Sequence, residues 1–261
     1  MKHKGKLIIF EGLDGSGKGT QLKLLQEFLE SENKKDKSQI IMFQEYLEDI
    51  YSKNQQFEMF TEYLTLKKRA FATYDFPRYY DNFWGKMVGR MLTGEFGTKI
   101  DPYLRSTFYL LDQADACRSI KKDLSLGKIV ICNRYITSSY IFQSSFLGTE
   151  SEKDKYIDWL EQAGYIELGI IKPDIVLALY VKPEIAQELI AKKEARGYLN
   201  SKTKDINERN LKLQINAGKE MIRLCKEREE WHLINCMRGD ELRTQEDISQ
   251  EIQNVLKEYI N

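Results

Sequence analysis

Runs of consecutive apolar residues alternate along the chain with stretches whose apolar residues recur three and four apart. Leu7–Phe10, Ile129–Cys132 and Ile175–Val181 are continuous apolar runs, the pattern of strands covered on both faces in a parallel sheet. Between them lie helical patterns. Leu22, Leu25 and Leu29 mark one helix after a glycine-rich turn. Asp101-Pro102 opens a second, with a capping Asp and Pro at the first helical position, and Leu104, Phe108 and Leu111 are read as its inner face running on to Leu124 and Gly127. Pro183-Glu184 opens a third that runs to Gly197. Leu233–Met237 reads as a last strand, and Thr244-x-x-Asp247 caps a final helix with Ile248, Ile252, Val255 and Tyr259 inward. Strands alternating with helices predict one α/β domain over 1–261, built on a doubly wound parallel sheet of about five strands flanked by helices. Gln44–Tyr74 fits this pattern least and is read as an insertion, a helical pair or a hairpin. Ile40–Phe43 and Ala70–Phe76 compete for the second strand.

Composition narrows the function classes. The 261 residues carry 40 Lys+Arg against 40 Asp+Glu, so no whole-molecule field attracts polyanions and nonspecific nucleic-acid binding is not expected. No apolar run approaches the 18 or more residues that a membrane span needs, and Leu7–Phe10 is too short for a signal-peptide core, which points to the cytoplasm. Cys117, Cys132, Cys225 and Cys236 form no C-x-x-C pair and there are two histidines, so reduced, buried cysteines are expected rather than a metal cluster.

The chemistry lies in the turn after the first strand. Gly12, Gly15, Ser16, Gly17, Lys18, Gly19 and Thr20 fall within a G-x-x-x-x-G-K loop set between a strand and a helix, the P-loop arrangement. Its glycines let backbone N–H groups converge on phosphates at a helix N-terminus, and Lys18 spans the two outermost ones. The fold expectation becomes a sheet of the P-loop NTPase type. Gly19 stands where a magnesium-binding hydroxyl is usual, so the metal ligands stay undetermined.

Phe10-Glu-Gly-Leu-Asp-Gly-Ser-Gly-Lys-Gly-Thr-Gln21 resembles the loop of the thymidylate kinase family. Phe76-Pro-Arg78-Tyr79 resembles that family's F-P-R segment, and Asn133-Arg134-Tyr135-x-x-Ser138-Ser139-x-x-Phe142-Gln143 resembles its D-R-Y segment. Residues 192–212 resemble its lid and carry a net charge of +4 on a neutral protein. The resemblance implies transfer of the γ-phosphoryl of ATP, with Mg²⁺, to dTMP. In it, Asp14 approaches the acceptor sugar's 3′-hydroxyl, Phe76 stacks on the base, and Arg78 and Arg134 hold the acceptor phosphate. Tyr79, Ser139 and Gln143 line the nucleoside pocket, and Arg196 comes from the lid to join Lys18 and Arg134 in catalysis. A homodimer is implied as well.

Two positions depart from the family pattern. Asn133 replaces the aspartate of D-R-Y, and Gln113 stands where an arginine contacts the pyrimidine. Gln113 retains an amide able to bond a base edge. These departures leave open a kinase for another pyrimidine nucleotide or a deoxynucleoside, or an ATP-binding regulatory homologue.

Overall fold

A computed structural model describes residues 5–31, 71–97, 99–196 and 211–260. Strand β1 (Lys6–Gly12) runs into the glycine loop and then into helix α1 (18–31). β2 (Phe71–Asp75), α2 (Phe83–Leu92), α3 (Pro102–Ser125), β3 (Ile129–Asn133), α4 (Ile136–Phe142) and α5 (Glu150–Glu161) follow. The remainder is β4 (Ile175–Tyr180), α6 (Pro183–Arg196), α7 (Leu211–Glu227), β5 (Trp231–Asn235), the small hairpin β6 (Met237–Arg238) and β7 (Glu241–Leu242), and α8 (Gln245–Ile260). The described strands form a five-stranded sheet in the order β2-β3-β1-β4-β5. Every neighbouring pair in it is parallel.

The continuous apolar runs have the cause expected of them. Alternate side chains of β1 serve opposite layers: Leu7 and Ile9 pack with α3, α4, α5 and α7, while Ile8 and Phe10 pack with α1 and α8. In β4, Val176 and Ala178 join the first layer and Ile175, Leu177 and Leu179 the second. Because all strands are parallel, their carboxyl ends share one edge, where ligands of such sheets bind. Gly12 pairs with Leu179 and Asn133 with both Phe10 and Asp75, so the glycine loop and the segments after β2 and β3 emerge together.

The capping expectations hold. Asp101 Oδ1 accepts from Tyr103 N at 2.9 Å at the start of α3, and Thr244 Oγ1 accepts from Asp247 N at 3.1 Å at the start of α8.

Three expectations need correction. The buried face of α3 is Ser106, Leu110, Gln113, Cys117, Ile120 and Leu124, with Asp112 beside it, and Leu104 is 55% exposed. Ser106, bonded to Tyr156, and Asp112, bonded to Arg78 and Asn82, turn inward where apolar spacing does not anticipate them. The last sheet strand starts two residues earlier than expected, at Trp231, because Trp231 and Ile234 are its inward side chains. Phe71–Asp75, within the candidate Ala70–Phe76, is the edge strand β2, so residues 71–74 belong to the sheet; residues 44–70 of the segment read as an insertion and the competing Ile40–Phe43 lie outside the described residues.

Candidate active site

The glycine loop is shaped by close approach. Gly15 has φ 79°, and a Cβ there would lie 2.4 Å from Ala186 O, so only glycine lets the loop tuck under α6. Gly17, at φ 84°, also needs the left-handed conformation open to glycine. Lys18 Nζ reaches back over the loop to the carbonyls of Gly12, at 3.0 Å, and Leu13, at 2.8 Å. The loop, the start of α1 and this ammonium form one rim.

Beside the rim lies a cavity of about 240 Å³. Six of the residues singled out in the sequence line it: Asp14, Phe76, Tyr79, Arg134, Ser139 and Gln143. Tyr109 from α3 and Phe142 from α4 complete its aromatic walls. The Phe76–Pro77 peptide is cis. Gln143 is buried on the wall, and its Oε1 accepts no hydrogen bond from the described residues. Such a buried oxygen is costly unless a donor reaches it.

Arg134 is the one described non-glycine residue at positive φ, 64°, immediately after β3. That conformation costs on the order of 1–3 kcal/mol and persists only where its surroundings enforce it. Its N–H donates to Phe10 O at 3.0 Å, and its guanidinium lies 4.9 Å from the Phe142 ring centre. The guanidinium pairs with Asp14 and lies 3.9 Å from Glu11 Oε2. Burial pulls Arg134 down, and Asp14 and Glu11 together carry its pKa above the ordinary arginine value. Burial pushes Asp14 up, yet Arg134, Lys18 and Gln214 outweigh it and hold the carboxyl below its usual range.

Glu11 is a participant that motif reading passed over. It is fully buried at the end of β1 and accepts from Tyr135 N (3.2 Å), Thr137 Oγ1 (2.7 Å) and Ser138 Oγ (2.8 Å). These donors sit at the start of α4, whose own N-cap, Tyr135, makes no side-chain cap bond. Glu11 therefore caps α4 from another strand. Burial raises its pKa, against the pull of Arg134, Thr137 and Ser138. An acid ending an otherwise apolar strand was the available signal.

Two singled-out residues do not reach the cavity wall. Arg78, expected to hold a phosphate, donates from Nε to Asp112 Oδ1 (3.0 Å) and from Nη2 to Asp115 Oδ2 (2.7 Å). The Arg78 N–H adds a bond of 2.9 Å to Asp112 Oδ2, so the residue clamps the β2–α2 turn onto α3. Gln113 is buried within α3 one turn beyond Tyr109, and its Oε1 accepts no hydrogen bond from the described residues. Arg196 ends α6; its side chain and residues 197–210 of the expected lid lie outside what is described.

Among the described residues no group of three or more His, Cys, Asp or Glu could hold an ion. Asn133 Nδ2 donates to Asp75 at 2.8 Å, and Asn133 Oδ1 is buried without a hydrogen-bond donor among the described residues. That neutral oxygen suits an ion such as Mg²⁺ that arrives on phosphates and keeps most of its water. The four cysteines are free, with three buried and Cys225 partly so. Among the described residues no helix is long and apolar enough to cross a membrane.

The thymidylate kinase family model matches residues 52–248. The thymidylate kinase of Mycobacterium tuberculosis is 29% identical over 151 residues, covering 58% of this chain and 69% of the relative. That of Thermoanaerobacter sp. is 28% identical over 196 residues, 74% of this chain and 73% of the relative. The solved thymidylate kinase of Candida albicans superposes with a TM-score of 0.64 at 16% identity, over 99% of this chain and 94% of that one, which speaks for the fold alone. A phosphate loop, a strand-end arginine at φ 64° and an aromatic cavity between them thus accompany a family match across three quarters of the sequence, and the chain belongs to the thymidylate kinase family.

Proposed function

We propose that the protein transfers the γ-phosphoryl group of ATP to dTMP, giving dTDP. The observation that carries this reading is the Asp14–Arg134 pair, which joins the phosphate loop to the aromatic cavity within one contact. An acceptor seated in the cavity presents its phosphate to Arg134, while the loop and Lys18 hold the phosphates of ATP. No general base is needed, because the attacking phosphate oxygen is already ionised at neutral pH. Catalysis consists of alignment and neutralisation of charge on the transferring group.

The chain's residues divide that work. Lys18 and Arg134 supply fixed positive charge on either side of the transferring group, and Arg196 adds a third. Gly12, Gly15, Ser16, Gly17, Gly19 and Thr20 hold the ATP phosphates. Asp14 accepts the 3′-hydroxyl of the acceptor, Phe76 stacks on its base, Tyr79 and Ser139 line its pocket, and Gln143 Oε1 takes a base N–H. Mg²⁺, bound through the phosphates with Asn133 Oδ1 as the chain's oxygen, would neutralise phosphate charge. Arg78 serves the site by holding the β2–α2 turn. The same reading has a homodimer built on α3, whose Leu104 is 55% exposed. It places the enzyme in the cytoplasm, in keeping with cysteines that form no disulfide.

The test is ADP formation from ATP and Mg²⁺, with dTMP, dUMP, dCMP, dGMP, AMP and thymidine offered separately. Preference for dTMP is expected; preference for another acceptor would locate selectivity at Gln113 and Asn133, and ATP binding without transfer would overturn the reading. Lys18→Ala should lose at least about a hundredfold in turnover, since removing one transition-state charge typically costs several kcal/mol. A rate within about threefold of wild type would remove Lys18 from catalysis.

A further inference from the structure

Asp14 is held from two sides. One oxygen pairs with Arg134, and the other, Oδ2, accepts a hydrogen bond of 3.0 Å from Gln214 Nε2, contributed from 200 residues further along the chain. Gln214 lies on α7, directly after the expected lid, and is 2% exposed on the helix face that carries Leu213, Ala217, Met221 and Leu224. That face packs on the phosphate loop: a Cβ placed on Gly218 would lie 3.5 Å from Leu13 Cδ1. The buried polar side chains of that face are Gln214, bonded to the loop's acid, and Glu220, paired with Lys153 and Arg223.

A carboxylate can accept about four hydrogen bonds, two on each oxygen. With Arg134 on one oxygen and Gln214 on the other, the plane of Asp14 is set and each oxygen retains a lone pair. Without Gln214 the carboxylate is free to rotate into a two-pronged pair with the Arg134 guanidinium, whose fork matches both oxygens. Each oxygen keeps a lone pair in either arrangement, but in the rotated carboxylate those lone pairs no longer point where the bond to Gln214 holds them.

We propose that Gln214 is a positioning residue that keeps Asp14 aimed at the acceptor's 3′-oxygen, so that it sets the discrimination between 3′-hydroxyl and 3′-deoxy acceptors. The inference rests on the kinase reading above and on the role of Asp14 within it. Its test compares kcat/KM for dTMP and 3′-deoxythymidine 5′-monophosphate in the full-length wild type, Gln214→Leu and Gln214→Asn. The asparagine variant withdraws the donor by one methylene and keeps the test open if the leucine variant does not fold.

Wild type is expected to favour dTMP by about tenfold or more, the scale of a hydrogen bond to a charged group. Both variants should compress that preference to within about threefold by raising KM for dTMP, leaving kcat/KM for the 3′-deoxy analogue within about twofold. Equal losses on the two acceptors, an unchanged preference, or a wild type without preference would overturn the inference and leave the kinase reading standing. A wild type that phosphorylates neither would overturn both.

Discussion

Arg134 and Arg78 occupy matching places, each just beyond the carboxyl end of a parallel strand and each resembling a family arginine expected on the acceptor phosphate. The structure treats them differently. Arg134 is forced to φ 64° and turned onto the cavity, where its carboxylate partners are the phosphate-loop acid and Glu11 beneath it. Arg78 is drawn away by Asp112, whose side chain is 1% exposed, and by Asp115. A strand end delivers an arginine to the ligand edge, but the carboxylates waiting there decide whether it meets ligand or protein. In α3 those carboxylates belong to a helix distant in sequence, so no local motif announces them.

Substitutions should separate the two arginines. Arg134→Ala is expected to reduce kcat by at least about a hundredfold, with KM for ATP within about threefold, because a charge facing the transferring group is lost. Steady-state kinetics with ATP and dTMP will show it. Arg78→Ala should instead lower unfolding free energy by about 3 kcal/mol, since removing one partner leaves the buried Asp112 charge uncompensated. Urea denaturation checks this, and a larger loss of turnover than that of Arg134→Ala would erase the distinction between the sites.

Glu11 sharpens the contrast at a smaller scale. Glu11→Gln withdraws one of the oxygens that cap α4 behind Arg134, and is expected to cost about 1–2 kcal/mol near pH 4. Burial raises the Glu11 pKa above its ordinary value of 4.5. A raised folded pKa gives stability that is present below the unfolded pKa and fades as pH rises through the folded one. The wild-type advantage over Glu11→Gln should therefore shrink as pH rises from 4.5, and a growing advantage in denaturation midpoints would contradict the assignment.

Legibility followed the range of the interactions. The strands covered on both faces, the caps at Asp101 and Thr244, and the loop with Lys18 are all set by residues within a few positions of one another, and each was readable from its own stretch of chain. The α3 face was misread because Ser106, Asp112 and Gln113 turn inward and Leu104 outward. Side-chain partners supplied by other elements explain the inversion at Asp112, and apolar spacing carries no record of them. Glu11 and Gln214 share that limitation, since their partners lie more than a hundred residues away.

By itself, then, the amino-acid order determined the parallel sheet, the phosphate loop and the set of aromatic and basic residues from which an acceptor site is built. These depend on periodicity, on glycine's conformational reach and on short-range capping, all encoded locally. Only the tertiary structure decided that Arg134 and not Arg78 faces the cavity, that Glu11 caps α4, and that Gln214 secures Asp14. Each of those outcomes depends on which charged or polar partner a buried side chain finds across the fold, where desolvation makes the absence of a partner costly.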